Sequence, residues 1–352
     1  MALANAAVLL AQRGRRVLVI DFDIEAPGLH RYFLDSATTA QRYEPVSPRA
    51  GVVDFFHELR KRLDAEFPDA EAYCADPTRT EQFLDASIQA LFASGDYTYR
   101  VQITDPNIGL PGRVPVDLLP AGRFDGTYAE RAHAFDWRSF YQEFAEAIPA
   151  FARNMARQYD YVLIDSRTGI TDIGSICTAQ LPGTLVLVFA PNRQALDGVL
   201  EVGHEAARIH RERFGSPLVL YPLVSRVEDA EDALKRHWIE RALTGFGSLY
   251  REDPRSSPFG EDDAISGTLK EYFARVRVPY RTYYAYGEQI AAERELVTET
   301  SGLAAALEVF VQILDREKPV VDQQEADHRD RRKDGHAEGL ILISIGEESI
   351  RG

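Results

Sequence analysis

Residues 17–28 read VLVIDFDIEAPG, and this stretch decides the fold class. Its first four residues are apolar, as in a strand that is buried on both faces of a parallel sheet. Two carboxylates, Asp21 and Asp23, follow at the C-terminal end of that strand. Residues 2–12 place apolar side chains at helical spacing. The sequence therefore predicts a helix, then a buried strand with an acidic end.

The same alternation continues along the chain. A long amphipathic stretch over 137–158 predicts one helix, with Asp136 as its N-cap. Helical and strand patterns that alternate are typical of an α/β fold with a doubly wound, mostly parallel sheet and flanking helices. The other predicted strands are Val116 to Leu119, Tyr161 to Ile164, Thr184 to Phe189 and Leu218 to Val224.

We interpret residues 1–316 as one domain. Within it, residues 52–110 predict a helical insertion at one edge of the sheet. Residues 317–352 are charged and poor in apolar side chains, which predicts a disordered tail. Inside this tail, residues 340–345 are rich in apolar side chains and are consistent either with a short strand or with a peptide-like contact.

Charge and cysteine content narrow the class of protein. The chain has 40 Lys and Arg against 55 Asp and Glu, a formal net charge of -15. Such an excess disfavours broad electrostatic attachment to DNA or to anionic lipid. The two cysteines, Cys74 and Cys177, lack the spacing of a zinc site or a disulfide framework. No apolar run approaches the roughly 20 residues of a membrane span, and we expect a cytoplasmic protein.

The carboxylates at the strand ends predict a cation site. Asp21 and Asp23 leave one strand two residues apart, so both can face one magnesium ion or its waters, and Asp23 can orient a nucleophilic water. Residues 159–169, YDYVLIDSRTG, form a second apolar strand that ends in Asp165 and a polar loop. Asp165 would contact magnesium through water, and the loop 166–172 could sense a γ-phosphate. An acidic strand-to-loop turn is the alternative for the first segment, and a strand that merely ends in Asp, as many do in α/β proteins, is the alternative for the second.

These segments resemble one family. VLVIDFDIEAPGL, residues 17–29, is similar to the second strand and first switch of the ParA/MinD group of deviant-Walker P-loop ATPases. YDYVLIDSRTGITD, residues 159–172, is similar to its Walker B strand and second switch. TLVLVFAPN and QALDGV, beginning at Thr184 and Gln194, resemble the next strand and helix. The motifs DxDxEAPGL and DSRTG most resemble those of family members whose phosphate loop reads KGGVGR.

The resemblance implies ATP and Mg²⁺ as ligands. It assigns Asp21 and Asp165 to the magnesium shell and Asp23 to the attacking water. Arg167 would stabilise developing charge. By position in the family, Arg226 would border the adenine together with Pro279 and Tyr280. The expected protein is a nucleotide-gated switch that forms a face-to-face homodimer around ATP and acts on a protein partner.

The glycine-rich phosphate loop of the family is missing from the printed chain. No G-x-x-x-x-G-K-[ST] or KGG motif occurs in it, and the helix that normally follows the loop matches the residues from Met1. We therefore expect a fold truncated before its first strand. A start codon assigned too late, a truncated gene and a degenerate relative that has lost catalysis are the alternatives.

Two other functions stay open. A non-catalytic adaptor would keep the fold and use its insertion and tail for protein contacts, whereas a partition protein would bind DNA. The fold would suit chromosome partitioning, protein positioning or defence against mobile elements. A dinucleotide fold and a serine hydrolase find no support, because the sequence shows neither GxGxxG after a strand nor a G-x-S-x-G elbow.

Overall fold

The computed structural model describes residues 1–34, 49–107, 112–166, 176–228, 230–259, 265–298, 302–316 and 340–343. Within these residues, seven strands form one sheet in the order β2-β3-β1-β4-β7-β5-β6. The strands are β1 (Val17–Asp21), β2 (Tyr99–Asp105), β3 (Gly112–Leu119), β4 (Tyr161–Asp165), β5 (Thr184–Phe189), β6 (Val219–Val224) and β7 (Leu340–Ile343).

The sheet is parallel except at one edge. Only β2, among the described strands, pairs in the antiparallel sense, with β3. All five residues of β1 are buried, as are most of β4, β5 and β6, which explains why their sequences are continuous apolar runs. The predicted fold class, an α/β fold with a mostly parallel sheet flanked by helices, is confirmed.

Thirteen α-helices flank the sheet within the described residues. They are α1 (Ala2–Gln12), α2 (Leu29–Leu34), α3 (Val52–Glu66), α4 (Ala70–Ala75), α5 (Pro77–Ala93), α6 (Tyr128–Ala134), α7 (Trp137–Glu143), α8 (Ala147–Gln158), α9 (Arg193–Phe214), α10 (Asp232–Glu252), α11 (Ile265–Arg275), α12 (Thr282–Ala285) and α13 (Leu303–Arg316). None of the described helices is long and apolar enough to cross a membrane.

Helix α1 is a core helix. Its residues from Ala2 to Ala11 are almost all buried, including the polar side chain of Asn5. Asn5 Oδ1 accepts a hydrogen bond from the backbone N–H of Ala292 at 3.0 Å, and Gln12 Nε2 donates to the Ala292 carbonyl at 2.9 Å. These two bonds fix α1 against the loop that precedes α13.

The predicted single helix over 137–158 is wrong, because the structure breaks it into α7 and α8. Asp136 caps α7 as expected, accepting a hydrogen bond from the Ser139 N–H at 3.0 Å. The break lies before Pro149, the third residue of α8. Proline has no N–H, and its ring would clash with the carbonyl four residues earlier, so a helix cannot run on through Ala145.

The segment predicted as a helical insertion is helical only in its first part. Helices α3, α4 and α5 occupy 52–93, but residues 99–105 form the edge strand β2. The burial of β2 alternates between buried and exposed positions, as expected of an edge strand that faces the core on one side.

The predicted disordered tail contributes one strand. Of the two alternatives for residues 340–345, the structure shows the short strand, over Leu340–Ile343. These four residues pair between β4 and β5. The other residues of 317–352 lie outside the described part of the chain.

Candidate functional site at the carboxyl edge of the sheet

The order of the strands places a crevice between β1 and β4. From β1 the chain proceeds to β3 on one side, whereas from β4 it proceeds towards β5 and β6 on the other. Such a reversal is a topological switch point, and in open α/β sheets ligands bind outside the carboxyl ends of the strands there. The last residues of these two strands, Asp21 and Asp165, are direct partners in the parallel register.

Asp21 is a fully buried carboxylate with one unpartnered oxygen. Its Oδ2 accepts a hydrogen bond from the Leu29 N–H at 3.2 Å, and the same oxygen lies 4.0 Å from Nδ1 of His30. Its Oδ1 is buried and has no hydrogen-bond partner among the described residues. Burial raises the pKa of Asp21, although His30 and the Leu29 N–H act in the opposite direction. A buried polar atom without a partner is costly, and Asp21 Oδ1 is one of nine such side-chain atoms among the described residues.

Asp165 reaches the same edge from β4 and is only partly buried. Its backbone carbonyl accepts a hydrogen bond from the Phe22 N–H at 2.8 Å, so the pairing of β1 with β4 extends up to the two carboxylates. Neighbouring strands are about 4.8 Å apart, and residues in register lie on the same face of a sheet. The structure therefore brings Asp21 and Asp165 together, as the sequence predicts.

Asp23 lies in the loop that follows β1 rather than in the strand. Its Oδ1 accepts a hydrogen bond from the Ala26 N–H at 3.2 Å, which closes a tight turn. The carboxylate is partly exposed, and its negative charge contributes to the raised pKa of Asp21. Asp23 is thus near the carboxylate pair and accessible to solvent.

Asp21 and Asp165 are ligands of the kind that a hard cation takes. Magnesium prefers oxygen ligands and is usually held by one or two carboxylates, with water and phosphate oxygens completing its shell. Asp21 and Asp165 supply such a pair, and the orphaned Oδ1 of Asp21 supplies a lone pair that the fold leaves unused. Within the described ranges, no group of three or more His, Cys, Asp or Glu side chains is placed to hold a metal ion.

The predicted base-binding residues meet at the other end of this edge. Arg226 follows β6, and residues 278–280 run alongside it. The Val227 N–H donates to the Val278 carbonyl at 3.0 Å, and the Tyr280 N–H donates to the Val227 carbonyl at 2.9 Å. Pro279 is the bridge partner of Val227. Arg226, Pro279 and Tyr280 are thereby adjacent, and the Tyr280 side chain is 39% exposed.

Arg226 has an unusual backbone conformation. Its φ is +56°, the only positive value among the described non-glycine residues. This left-handed conformation costs roughly 1–2 kcal/mol for a residue with a Cβ. Backbone strain of this kind occurs often where a side chain must be held in one direction for function. Three strand spacings, roughly 14 Å, separate β4 from β6, so one extended ligand could reach from the carboxylates to Arg226.

Sequence reasoning missed the contacts that the segment after β3 makes with the residues after β1. Tyr128 donates its hydroxyl hydrogen bond to the Ile24 carbonyl at 2.7 Å. Burial and the charges of Asp21 and Asp23 raise the pKa of Tyr128. The ring of Phe124 stacks on His30, with 4.2 Å between centroids. No local sequence pattern predicts these contacts, because each joins residues about 100 positions apart in the chain.

The remaining predicted site residue, Arg167, lies outside the described residues, as does most of the loop 166–172.

Among comparisons with known proteins, only the search of solved structures found matches to this chain. No protein-family model and no curated protein matches the chain. Among solved structures, the septum site-determining protein MinD complexed with Mg-ADP from Pyrococcus horikoshii OT3 matches with a TM-score of 0.46 and 15% identity, covering 90% of each chain. The pNOB8 ParA structure matches at 0.43 and 17%, covering 93% of this chain and 87% of that one.

A third solved structure is the ATP complex of a McdA variant from Cyanothece. It matches with a TM-score of 0.45 and 14% identity, over 91% of this chain and 94% of that one. These three matches are likenesses of backbone at identities of 14 to 17%.

Proposed function

We propose that the chain is an ATP-binding, magnesium-dependent ATPase that acts as a nucleotide-gated switch of the ParA/MinD type. The observation that carries this proposal is the pair Asp21 and Asp165, which ends two neighbouring parallel strands at the switch point, with one oxygen of Asp21 buried and unpartnered. A structural acidic turn would satisfy its buried oxygens within the chain.

Each residue has a definite part in this proposal. Asp21 and Asp165 hold the magnesium shell, and Asp23, which is exposed enough to contact water, orients the nucleophile. Magnesium, when bound, neutralises phosphate charge. Arg226 and Tyr280 border the base, with Pro279 fixing the loop between them. Arg167 stands as a proposed charge-stabilising residue.

The proposal extends to the partners of the protein. We expect a homodimer in the ATP-bound state, a protein partner that reads the switch, and a cytoplasmic location. The net charge of -15 gives no support to broad binding of DNA or of anionic membrane. A role in chromosome partitioning is one of several that the fold would suit.

A non-catalytic adaptor is the second candidate. It is favoured by the absence of any G-x-x-x-x-G-K-[ST] or KGG motif from the 352 printed residues. That loop normally supplies backbone N–H groups and a cation to the phosphates, so a protein without it would bind nucleotide weakly.

Calorimetric titration with Mg-ATP separates the two candidates. It is made on the printed chain and on a version with any residues that the gene encodes in frame upstream, about 25 being enough for a strand and a loop. Asp165→Asn is the test variant. Asp160→Asn is its matched control, because Asp160 lies just before the opposite end of β4 and pairs with Arg16 at 2.9 Å.

The proposal expects binding in at least one version, weakened at least tenfold by Asp165→Asn and unchanged by Asp160→Asn. An absence of binding in both versions would eliminate the ATPase and leave the adaptor. Equal weakening by the two variants would show that the carboxyl edge is not the nucleotide site.

A further inference from the structure

Two buried atoms without hydrogen-bond partners belong to neighbouring side chains at the carboxyl edge. They are Asp21 Oδ1 and His30 Nδ1, two of the nine such atoms among the described residues. His30 is the second residue of α2, and its Nδ1 lies 4.0 Å from Oδ2 of Asp21. The His30 side chain is 15% exposed, and that of Asp21 is fully buried. The two unsatisfied groups therefore form one feature of the site.

The imidazole ring of His30 is held by aromatic contacts. It stacks on Phe124 at an interplanar angle of 31°, with 4.2 Å between centroids. Phe124 in turn contacts the ring of Tyr128, with 5.1 Å between centroids, and the Tyr128 hydroxyl donates to the Ile24 carbonyl. Because these contacts join the segment after β3 to the residues after β1, the His30 ring has little freedom to turn away from Asp21.

Two groups at the start of α2 approach the same oxygen of Asp21. The Leu29 N–H donates to Oδ2 at 3.2 Å, and His30 Nδ1 is near that oxygen too. A single hydrogen bond leaves a carboxylate free to turn about its Cβ–Cγ bond, whereas two donors on one oxygen fix its plane. At 4.0 Å the His30 contact is longer than a hydrogen bond. In unliganded sites such bonds are often long, and they shorten when the ligand binds.

We propose that His30 is a positioning residue of the cation site. In the tautomer with its proton on Nδ1, the ring engages Oδ2 of Asp21 and leaves Oδ1 free as a ligand. This inference rests on the proposed function, since it takes Asp21 as part of the magnesium shell. His30 itself touches neither the cation nor the nucleotide. Groups that orient a metal ligand in this way typically contribute about 10–100-fold to metal affinity.

Three substitutions at His30 separate this role from packing. His30→Phe keeps an aromatic ring against Phe124 but has no donor. His30→Asn carries an amide nitrogen close to the position of Nδ1. His30→Gln is its matched control, because the same amide then lies one bond further from the backbone. Asp21→Asn reports on the cation site itself.

Cation affinity is measured by titrating the full-length chain with Mn²⁺ and following the loss of the free electron-spin-resonance signal, and thermal melting verifies that each variant folds. Asp21→Asn should weaken binding at least about tenfold. His30→Phe and His30→Gln should weaken it about tenfold, whereas His30→Asn should stay within about threefold of the unaltered chain. If His30→Phe fails to fold, the comparison of His30→Asn with His30→Gln decides.

Unchanged affinity in His30→Phe beside a weakened Asp21→Asn would overturn the role of His30 and leave the cation site standing. Equal weakening by all three His30 variants would also overturn it, because the loss would then come from the ring and not from its N–H. If Asp21→Asn binds Mn²⁺ like the unaltered chain, or if the unaltered chain binds none, the proposed cation site fails, and the role of His30 fails with it.

Discussion

Two buried carboxylates, Asp21 and Asp315, lie at opposite ends of the strands β1 and β4. They differ in the hydrogen bonds that their oxygens accept. Asp315 accepts hydrogen bonds from Arg15 Nε at 2.9 Å and from the Tyr161 hydroxyl at 2.9 Å, and it pairs with Arg13 at 3.5 Å. Asp21 accepts one backbone hydrogen bond at 3.2 Å, and its second oxygen has no partner among the described residues.

We interpret this difference as that between a structural carboxylate, Asp315, and one that we propose binds a cation, Asp21. Asp315 joins α13 to the residues before β1 and to the start of β4, so its charge is compensated by the fold itself. The charge of Asp21 is left partly uncompensated, at a cost in stability that a bound cation would offset. Sites that violate local rules of satisfaction are often functional.

The largest expected effect is that of Asp21→Asn on nucleotide binding. In the version of the protein that binds Mg-ATP, affinity should fall at least about 100-fold, because a neutral amide holds magnesium poorly. The free energy of unfolding without ligand should stay the same or rise, because the buried charge is gone. Calorimetry and chemical denaturation measure the two quantities. A large loss of stability would mean that Asp21 is structural, like Asp315.

Asp315→Ala should have the opposite signature. Removing one partner of a buried ion pair typically costs about 3–5 kcal/mol, but the Arg15 and Arg13 side chains retain 19% and 29% exposure. We therefore expect a loss of about 2–3 kcal/mol, or roughly 3–5 °C in Tm for a domain of this size. Thermal melting measures it. Magnesium-dependent binding below the new Tm should be unchanged, and its loss would remove the contrast between the two carboxylates.

The contrast also has a pH signature. Burial raises the pKa of Asp21 above its unfolded value, so the folded protein favours the protonated form. Its contribution to stability is fully present below the unfolded pKa of about 3.9, and it is lost as pH rises through the folded pKa. The stability advantage of Asp21→Asn over the unaltered protein should therefore grow from pH 4 upwards. Denaturation of both proteins at a series of pH values measures this, and an advantage that shrinks with rising pH would contradict it.

The smallest expected effect on stability is that of Arg226→Gly. Glycine adopts a φ of +56° without strain, but it also gains freedom in the unfolded chain. These terms offset each other in part, so the free energy of unfolding should change by no more than about 1 kcal/mol. Nucleotide affinity should fall several-fold if Arg226 borders the base. Arg226→Lys is the control. It keeps the charge and the backbone strain, so it should retain more nucleotide affinity than Arg226→Gly.

Much of the sheet could be predicted because buried parallel strands are continuous apolar runs. Strand β2 was missed although YRVQITD alternates visibly, because its helical neighbours suggested one uniform insertion. The position of β7 in the centre of the sheet could not be predicted from its own residues. A run of four apolar residues has the same pattern whichever strands it pairs with.

The candidate site was predictable to a similar degree. Carboxylates that end two apolar strands must meet if those strands are neighbours, and β1 and β4 are. The orphaned oxygen of Asp21, by contrast, depends on burial by distant residues. The stacking of Phe124 on His30 and the bond from Tyr128 to Ile24 depend in the same way on tertiary packing.

The most direct test of the carboxylate pair is titration with Mn²⁺, a paramagnetic substitute for Mg²⁺, followed by the loss of its free electron-spin-resonance signal. The unaltered chain should bind one ion at least tenfold more tightly than Asp21→Asn or Asp165→Asn, whereas Asp315→Asn should bind it like the unaltered chain. Equal affinity in all four proteins would contradict the assignment of Asp21 and Asp165 as the cation site.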